Sequence, residues 1–168
     1  METFKYCPLC GTKLIGDYVI GKSYIHCPSG HYTFYPNQVV GAIGVVHHEG
    51  RVLLERRGIE PGYGLWGLPG GMAEQGEAID DCIKREIEEE TGLKVESVQL
   101  LDVLGGVQAC IVGYEARVLH GTDQLIQSEE SLELRWFPVN EIPYDQFAFP
   151  RHVQILRKWL EQSKSSSN

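Results

Sequence analysis

Residues 71–93 read GMAEQGEAIDDCIKREIEEETGL, and the rest of the chain is arranged to hold them. The spacing predicts a helix from about Gly76 to Thr91, closed by Gly92, which suits the left-handed backbone that ends helices. Glu77, Asp80 and Asp81 fall in the first turns, where the helix dipole favours anions. Ile79, Ile83 and Ile87 recur every four residues and make an apolar stripe, with Cys82 beside it. At about 100° per residue, Glu86 and Glu90 fall inside that stripe, Glu89 on its flank next to Arg85, and Glu88 on the opposite, solvent side. Carboxylates at i and i+4 repel even in water, and more strongly when buried, unless a cation compensates. Glutamates set among isoleucines are a hard-oxygen donor set, suited to Mg²⁺ or Mn²⁺ rather than to zinc.

Composition limits what surrounds this helix. A chain of 168 residues fits one ordinary domain with a small appendage. Its apolar fraction of 42% and aromatic fraction of 10% suit a globular core. The net charge of −8 argues against long nucleic acid and against a membrane surface as partners. It does not exclude phosphate substrates, because a bound cation inverts the local charge. No apolar run is long enough to span a bilayer, and the start, METFKYCPLCG, lacks the apolar core of a signal peptide. Five cysteines, with Cys82 and Cys110 isolated, point to a reducing compartment, the cytoplasm.

Residues 1–36 differ from the rest of the chain. Cys7-Pro-Leu-Cys10-Gly is a knuckle of the zinc-ribbon type, and His26-Cys27-Pro-Ser-Gly-His31 comes after a spacer. Gly30 stands where a second CxxC would place its last cysteine. Cys7, Cys10, Cys27 and His31 then make a Cys₃His set for structural Zn²⁺, with His26 the other candidate for the fourth position. A segment this short has little core of its own, held here by Phe4, Tyr6, Tyr24, Tyr32, Phe34 and Tyr35, and a metal staple would serve it.

Pro36-Asn37 marks the boundary to a second region, 37–168. Val39 to His47 reads as a strand, Glu49-Gly50 as a turn and RVLLERR (51–57) as the partner strand. The loop 58–64 and the stretch Leu65-Trp66-Gly67-Leu68-Pro69-Gly70-Gly71 lead into the helix. Two further strands, Lys94–Val103 and Gln108–Leu119, meet at Gly105-Gly106. A polar loop (120–130), a strand (132–139) and an aromatic loop (146–150) precede a final helix from Arg151 to Gln162. That helix carries Val153, Leu156 and Leu160 on one face, with Ile155 and Trp159 alongside. A polar tail closes the chain.

Gly71, Glu77, Arg85-Glu86-Ile87, Glu89-Glu90 and Gly92-Leu93 occupy every defined position of the Nudix box. From about Val39 onward the chain resembles the Nudix hydrolase family. The resemblance implies an α/β/α sandwich with a mixed sheet, preceded by a small zinc-ribbon-like segment. It implies a metal-dependent pyrophosphatase in which Glu86, Glu89, Glu90 and the Gly70 carbonyl bind Mg²⁺ or Mn²⁺. Arg85 would pair with a box carboxylate and orient it, and Glu77 would anchor the loop that starts the box. The general base is either Glu89, in the box, or a loop glutamate among Glu129, Glu130 and Glu133, of which Glu130 is the choice. Strand alternation sends Arg56 and Arg57 to opposite faces. Arg57 is the residue assigned to substrate phosphates, and Trp66 leads Tyr63, Phe147 and Phe149 as a ring for stacking a base.

The ribbon, the box and the stretch SLELRWFPVNEIPYDQFAF together resemble a subgroup that acts on ADP-ribose and on dinucleotides such as FAD and NADH. No proline lies between Pro69 and Pro138, and no SQPWPFPxS-like stretch is present, two departures from the patterns of ADP-ribose and NADH hydrolases. Two other readings stand beside a small nucleotide substrate: a Nudix hydrolase of nucleoside triphosphates or capped RNA, and a noncatalytic nucleotide sensor. Many family members are homodimers, so a second copy is among the partners that the resemblance implies.

Overall fold

In a computed structural model that describes residues 5–19, 22–34, 38–119 and 124–165, the chain forms two compact units, Met1–Gln38 and Val39–Asn168. The expected boundary at Pro36-Asn37, the aromatics Phe4 and Tyr35, residues 120–123 of the polar loop, the last three residues of the tail and the side chain of Tyr24 lie outside the described residues.

The first unit carries a three-stranded antiparallel sheet in the order β1 (Ile15–Val19), β2 (Lys22–His26), β3 (Thr33–Phe34). Its buried centre is Cys7, Leu14 and Cys27, with Ile25 and Tyr32 packed against them. Three side chains bury little apolar area, and a unit of this size ordinarily needs a covalent or metal cross-link to stay folded.

The second unit is built on β4 (Val39–His48), β5 (Arg51–Arg57), β6 (Trp66–Gly67), β7 (Gly70–Met72), β8 (Val95–Leu104), β9 (Ala109–Val118) and β10 (Ser131–Pro138). The sheet runs β10-β5-β4-β9-β8, with β6 paired to β5 and β7 to β4. The β4–β9 pair is parallel and the other pairs antiparallel, giving the expected mixed sheet. Glu49 and Gly50 both take positive φ, 48° and 74°, which matches the twist of a tight hairpin between β4 and β5.

Helix α1 (Ile79–Thr91) covers one face and α2 (Pro150–Ser165) the other. Alternation along β4 explains the layers: Ala42 and Val46 pack with Cys82, Ile83 and Ile87 of α1, and Ile43 and Val45 with Ile155, Leu156 and Trp159 of α2. The expected α/β/α sandwich is therefore what forms. The helix α1 begins three residues later than its spacing suggests. Gly76 at φ 85° and the Glu77 N–H bond to the Glu74 carbonyl (3.1 Å) form a turn that holds Glu77 ahead of the helix. Gly92, at φ 73°, ends it with an N–H bond to the Glu88 carbonyl. On α2 the buried stripe is His152, Ile155, Leu156 and Trp159, with Val153 only partly covered. The apolar pattern alone places the stripe off-centre because it gives histidine no weight.

Candidate active site

Strand β7 brings Gly70 and Gly71 beneath α1. Gly70 has φ 146°, and a side chain there would run into the backbone of Ala42 and Ile43 on β4. A side chain on Gly71 would overlap the Glu86 carboxylate. The box glycine is thus needed because the backbone and a helical glutamate occupy one place. The Gly70 N–H donates to Glu90 Oε2 at 2.7 Å, fastening the strand to the helix.

Arg85 organises the other carboxylates. Its Nε and Nη2 donate to the two oxygens of Glu77 at 2.7 and 3.0 Å, a bidentate pair. Its Nη1 donates to Glu86 at 2.9 Å and to Glu89 at 3.0 Å. The guanidinium holds the Glu77 carboxyl down to about 2. Glu89 is 60% exposed against 14% for Glu86, so the flank and inward positions read from the wheel are where the structure puts them. Glu88 points to solvent and pairs with Lys94.

Glu86 and Glu90 are half-buried carboxylates, Glu86 held by Arg85 and Glu90 by the Gly70 N–H. Burial raises the Glu86 carboxyl in spite of Arg85. Burial, then the nearby charge of Glu55, pushes Glu90 up to about 9, although the Gly70 N–H opposes the shift. Glu55, in the middle of β5 and 3% exposed, is the residue that sequence reading passed over. Burial raises its carboxyl, and Ser131 Oγ donates to it at 2.6 Å. The signal was available in RVLLERR: a glutamate alternating with Leu53 on a strand covered on both faces has to be buried.

Glu86, Glu89 and Glu90 do not close into one tight trio. Their hydrogen bonds divide them, Glu86 and Glu89 onto Arg85 Nη1 and Glu90 onto the Gly70 N–H. Their oxygens and the backbone at Gly70 are nonetheless hard donors on one side of α1, where negative charge is concentrated, and that donor chemistry fits Mg²⁺ or Mn²⁺.

The loops place the remaining candidates. Glu130 lies before β10, and its carbonyl accepts the Gly58 N–H at 2.6 Å. Its charge acts on both Glu55 and Glu90. Glu133 begins the regular part of β10 and binds Arg135, and Glu129, like Glu130, is exposed. Arg57 donates from Nε to the Pro61 carbonyl and lies 5.1 Å from the centre of the Phe149 ring. Arg56 is turned to the Gly64 carbonyl. Trp66 is not at the surface: it is 5% exposed and packs edge-on against Phe137 at 4.9 Å, in the layer beneath α2. The strand pairing of β6 with β5 draws that ring into the core and leaves Tyr63, Phe147 and Phe149 as the accessible aromatics.

In the first unit the sulfurs of Cys7, Cys10 and Cys27 lie within 4.8 Å of one another, with Cys10 and Cys27 3.6 Å apart. Two thiolates on one tetrahedral zinc stand roughly 3.8 Å apart, from a Zn–S bond of about 2.3 Å. Two turns make the cluster, with Gly11 N–H on the Cys7 carbonyl and Gly30 N–H on the Cys27 carbonyl, both at 2.9 Å and both with glycine at positive φ. Thr12 is the chief cause, with His31 a lesser one, that lowers the Cys10 thiol to about 6. His31 stands outside the trio. No disulfide joins any of the five cysteines.

The NUDIX domain family profile matches residues 36–162, which include α1, most of α2 and the whole seven-stranded sheet. The chain belongs to the Nudix family. It is 27% identical over 132 residues to an ADP-ribose pyrophosphatase of Methanocaldococcus jannaschii, covering 76% of this chain and 78% of that protein. An NAD-capped RNA hydrolase NudC of Chromobacterium violaceum is 32% identical over 169 residues, covering 96% of this chain and 59% of that protein. A solved NUDIX hydrolase from Nitrosomonas europaea superposes with a TM-score of 0.79 at 29% identity, over 95% of this chain and 92% of that one. This Nudix hydrolase spans little more than half the length of the NudC proteins it matches. Among its described residues no helix is long and apolar enough to cross a membrane.

Proposed function

We propose that the protein hydrolyses the pyrophosphate bond of a nucleoside diphosphate linked to another moiety, of the ADP-ribose, FAD or NADH type. Water adds to one phosphorus, the P–O–P bridge breaks, and AMP leaves with a phosphorylated partner. The observation that carries this reading is the inward, charge-rich face of α1, where the half-buried Glu86 and Glu90 stand among isoleucines against Gly70-Gly71. A protein gains nothing in stability from carboxylates placed so, and a divalent cation relieves their repulsion.

Glu86, Glu89 and Glu90 with the Gly70 carbonyl would hold Mg²⁺ or Mn²⁺. When bound, such a cation neutralises pyrophosphate oxygens and lowers the pKa of a coordinated water. Arg85 keeps Glu86 and Glu89 oriented, and Glu77 keeps Arg85 in place. Arg57, beside the Phe149 ring, offers its guanidinium to a phosphate. Of the two candidate bases, Glu130 is favoured over Glu89. Glu89 is engaged by Arg85, whereas the Glu130 carboxylate is free of any such ion pair among the described residues and acts electrostatically on Glu90.

A second substrate reading is an NAD-capped RNA, favoured by the similarity to NudC proteins over 94–96% of this chain. The net charge of −8 would confine recognition to the cap. The segment 1–36 would serve as a structural staple, with Zn²⁺ on Cys7, Cys10 and Cys27 and His31 completing the set, and 37–168 as the catalytic domain. Five free thiols suit a reducing cytoplasm. AMP release from ADP-ribose, FAD, NADH, dGTP and an NAD-capped oligonucleotide, each with Mg²⁺, tests the assignment. Turnover confined to dGTP would replace the dinucleotide reading with a triphosphatase. Binding without turnover on every substrate would make the protein a sensor.

A further inference from the structure

Glu55 has no place in the box, and its position is costly. It sits near the centre of β5 with 3% of its surface exposed, on the side of the sheet that carries Leu53, Ile83, Ile87 and Leu134. An apolar residue there would be at least as stabilising, so the buried carboxylate calls for a task.

The strand opposite supplies one. On β10, Leu134 pairs with Glu55 and Glu133 with Arg56, and then the register slips so that Ser131 pairs with Arg57. Leu132 is the extra residue of a β-bulge. Residues directly opposite share a face, so the bulge turns Ser131 to the side that Glu55 and Arg57 occupy. Without it Leu132 would be there. The Ser131 hydroxyl, 5% exposed as a residue, donates to Glu55 Oε1 at 2.6 Å. Ser128 Oγ lies 3.2 Å from the same hydroxyl, and the Gln127 side-chain amide donates to the Ser131 carbonyl at 2.8 Å. On the other side of Glu130, its carbonyl accepts the Gly58 N–H at 2.6 Å, and any side chain on Gly58 would press into that carbonyl at 2.8 Å. Glu130 is therefore held between two anchors that both come from β5 and its C-terminal end.

We infer that Glu55 is a positioning residue: through the Ser131 hydroxyl it fixes the bulge at the start of β10 and so aims Glu130 at the carboxylates of α1. The inference rests on the pyrophosphatase reading with a loop base. The proximity it needs is present, since the Glu130 charge acts on both Glu55 and Glu90. Glu55 itself touches no substrate in this role.

Steady-state kinetics on ADP-ribose with Mg²⁺ test it with Ser131→Ala, Glu55→Gln, Glu130→Gln and the double variant Ser131→Ala/Glu130→Gln. Misplacing a catalytic group by about an ångström costs roughly ten- to a hundredfold, so Ser131→Ala lowers kcat by about that factor with KM nearly unchanged. Glu55→Gln keeps an acceptor for the hydroxyl and falls less. Ser131→Thr keeps the hydroxyl and restores kcat. In the Glu130→Gln background Ser131→Ala produces no further fall, because the group it aims is already lost. A merely unfolded fraction lowers the rate by the same factor in both backgrounds, and that additive result overturns the inference. So does an unchanged kcat for Ser131→Ala or for Glu130→Gln in an otherwise active protein. Absence of turnover in the unaltered protein contradicts the pyrophosphatase reading itself, and the inference falls with it.

Discussion

Replacing Glu90 by glutamine should stabilise the protein in the absence of divalent cations, by an amount that grows with pH. The folded state pushes the Glu90 carboxyl up to about 9, through burial first and the charge of Glu55 second. In the unfolded chain the same carboxyl ionises near the ordinary glutamate value of about 4.3. The folded form then holds a proton that the unfolded form has lost. Stability is fully present below the unfolded value and is lost as pH rises toward about 9. The slope for one proton is about 1.4 kcal/mol per pH unit, so between about pH 6 and pH 8 the unaltered protein should lose roughly 3 kcal/mol relative to Glu90→Gln. For a chain of this size that is a shift in thermal midpoint of roughly 6–12 °C. The glutamine keeps the acceptor for the Gly70 N–H, so the comparison isolates the charge. The assay is thermal unfolding of both proteins across that range in chelator, repeated with Mg²⁺, which should restore the unaltered protein selectively by binding its folded form. Parallel pH curves for the two proteins, or equal stabilisation of both by Mg²⁺, would refute the reasoning.

Arg85→Met leaves Glu77, Glu86 and Glu89 without their shared donor, and should lower stability by about 2–3 kcal/mol together with turnover by more than about a hundredfold, read by denaturant titration and by kcat. Gly71→Ala should drive the Glu86 carboxylate from its place and reduce kcat by at least roughly tenfold, while circular dichroism keeps the native spectrum; an unchanged rate would mean that Glu86 needs no fixed position. Purified protein should carry about one zinc per chain by elemental analysis, lost in Cys27→Ser, and a metal-free but folded first unit would remove the staple. Trp66→Ala should act as a core truncation costing about 3–5 kcal/mol, with the KM of the surviving enzyme little changed.

The reach of the sequence differs from element to element. The inward places of Glu86 and Glu90, the flank place of Glu89 and the solvent place of Glu88 follow from helix geometry, because a helix fixes the direction of each side chain once its axis is set. The three-residue error at its start has a local cause too: Glu77 is recruited by Arg85 eight residues on, a contact that only the folded loop makes. Contacts between distant segments are what periodicity cannot carry. Nothing near Glu55 in the chain announces Ser131, 76 residues later, or that a bulge would turn the serine inward. The same holds for Trp66, whose neighbours Gly67 and Leu65 suggest an open loop until β6 pairs with β5 and closes the ring into the core. His152 was invisible for a further reason: a polar residue on an apolar face looks like an interruption, yet its ring accepts the Leu68 N–H at 2.9 Å and so fastens the loop before Gly70 to α2.

Cation-dependent pyrophosphate cleavage, organised by the inward face of α1, is the claim on which the other roles depend. The most direct test is AMP release from ADP-ribose by the unaltered protein and by Glu86→Gln, with and without Mg²⁺. Release by the unaltered protein only when Mg²⁺ is present, and a loss of at least about a thousandfold in Glu86→Gln, is the predicted result. Undiminished release by Glu86→Gln, or release that ignores Mg²⁺, would contradict it.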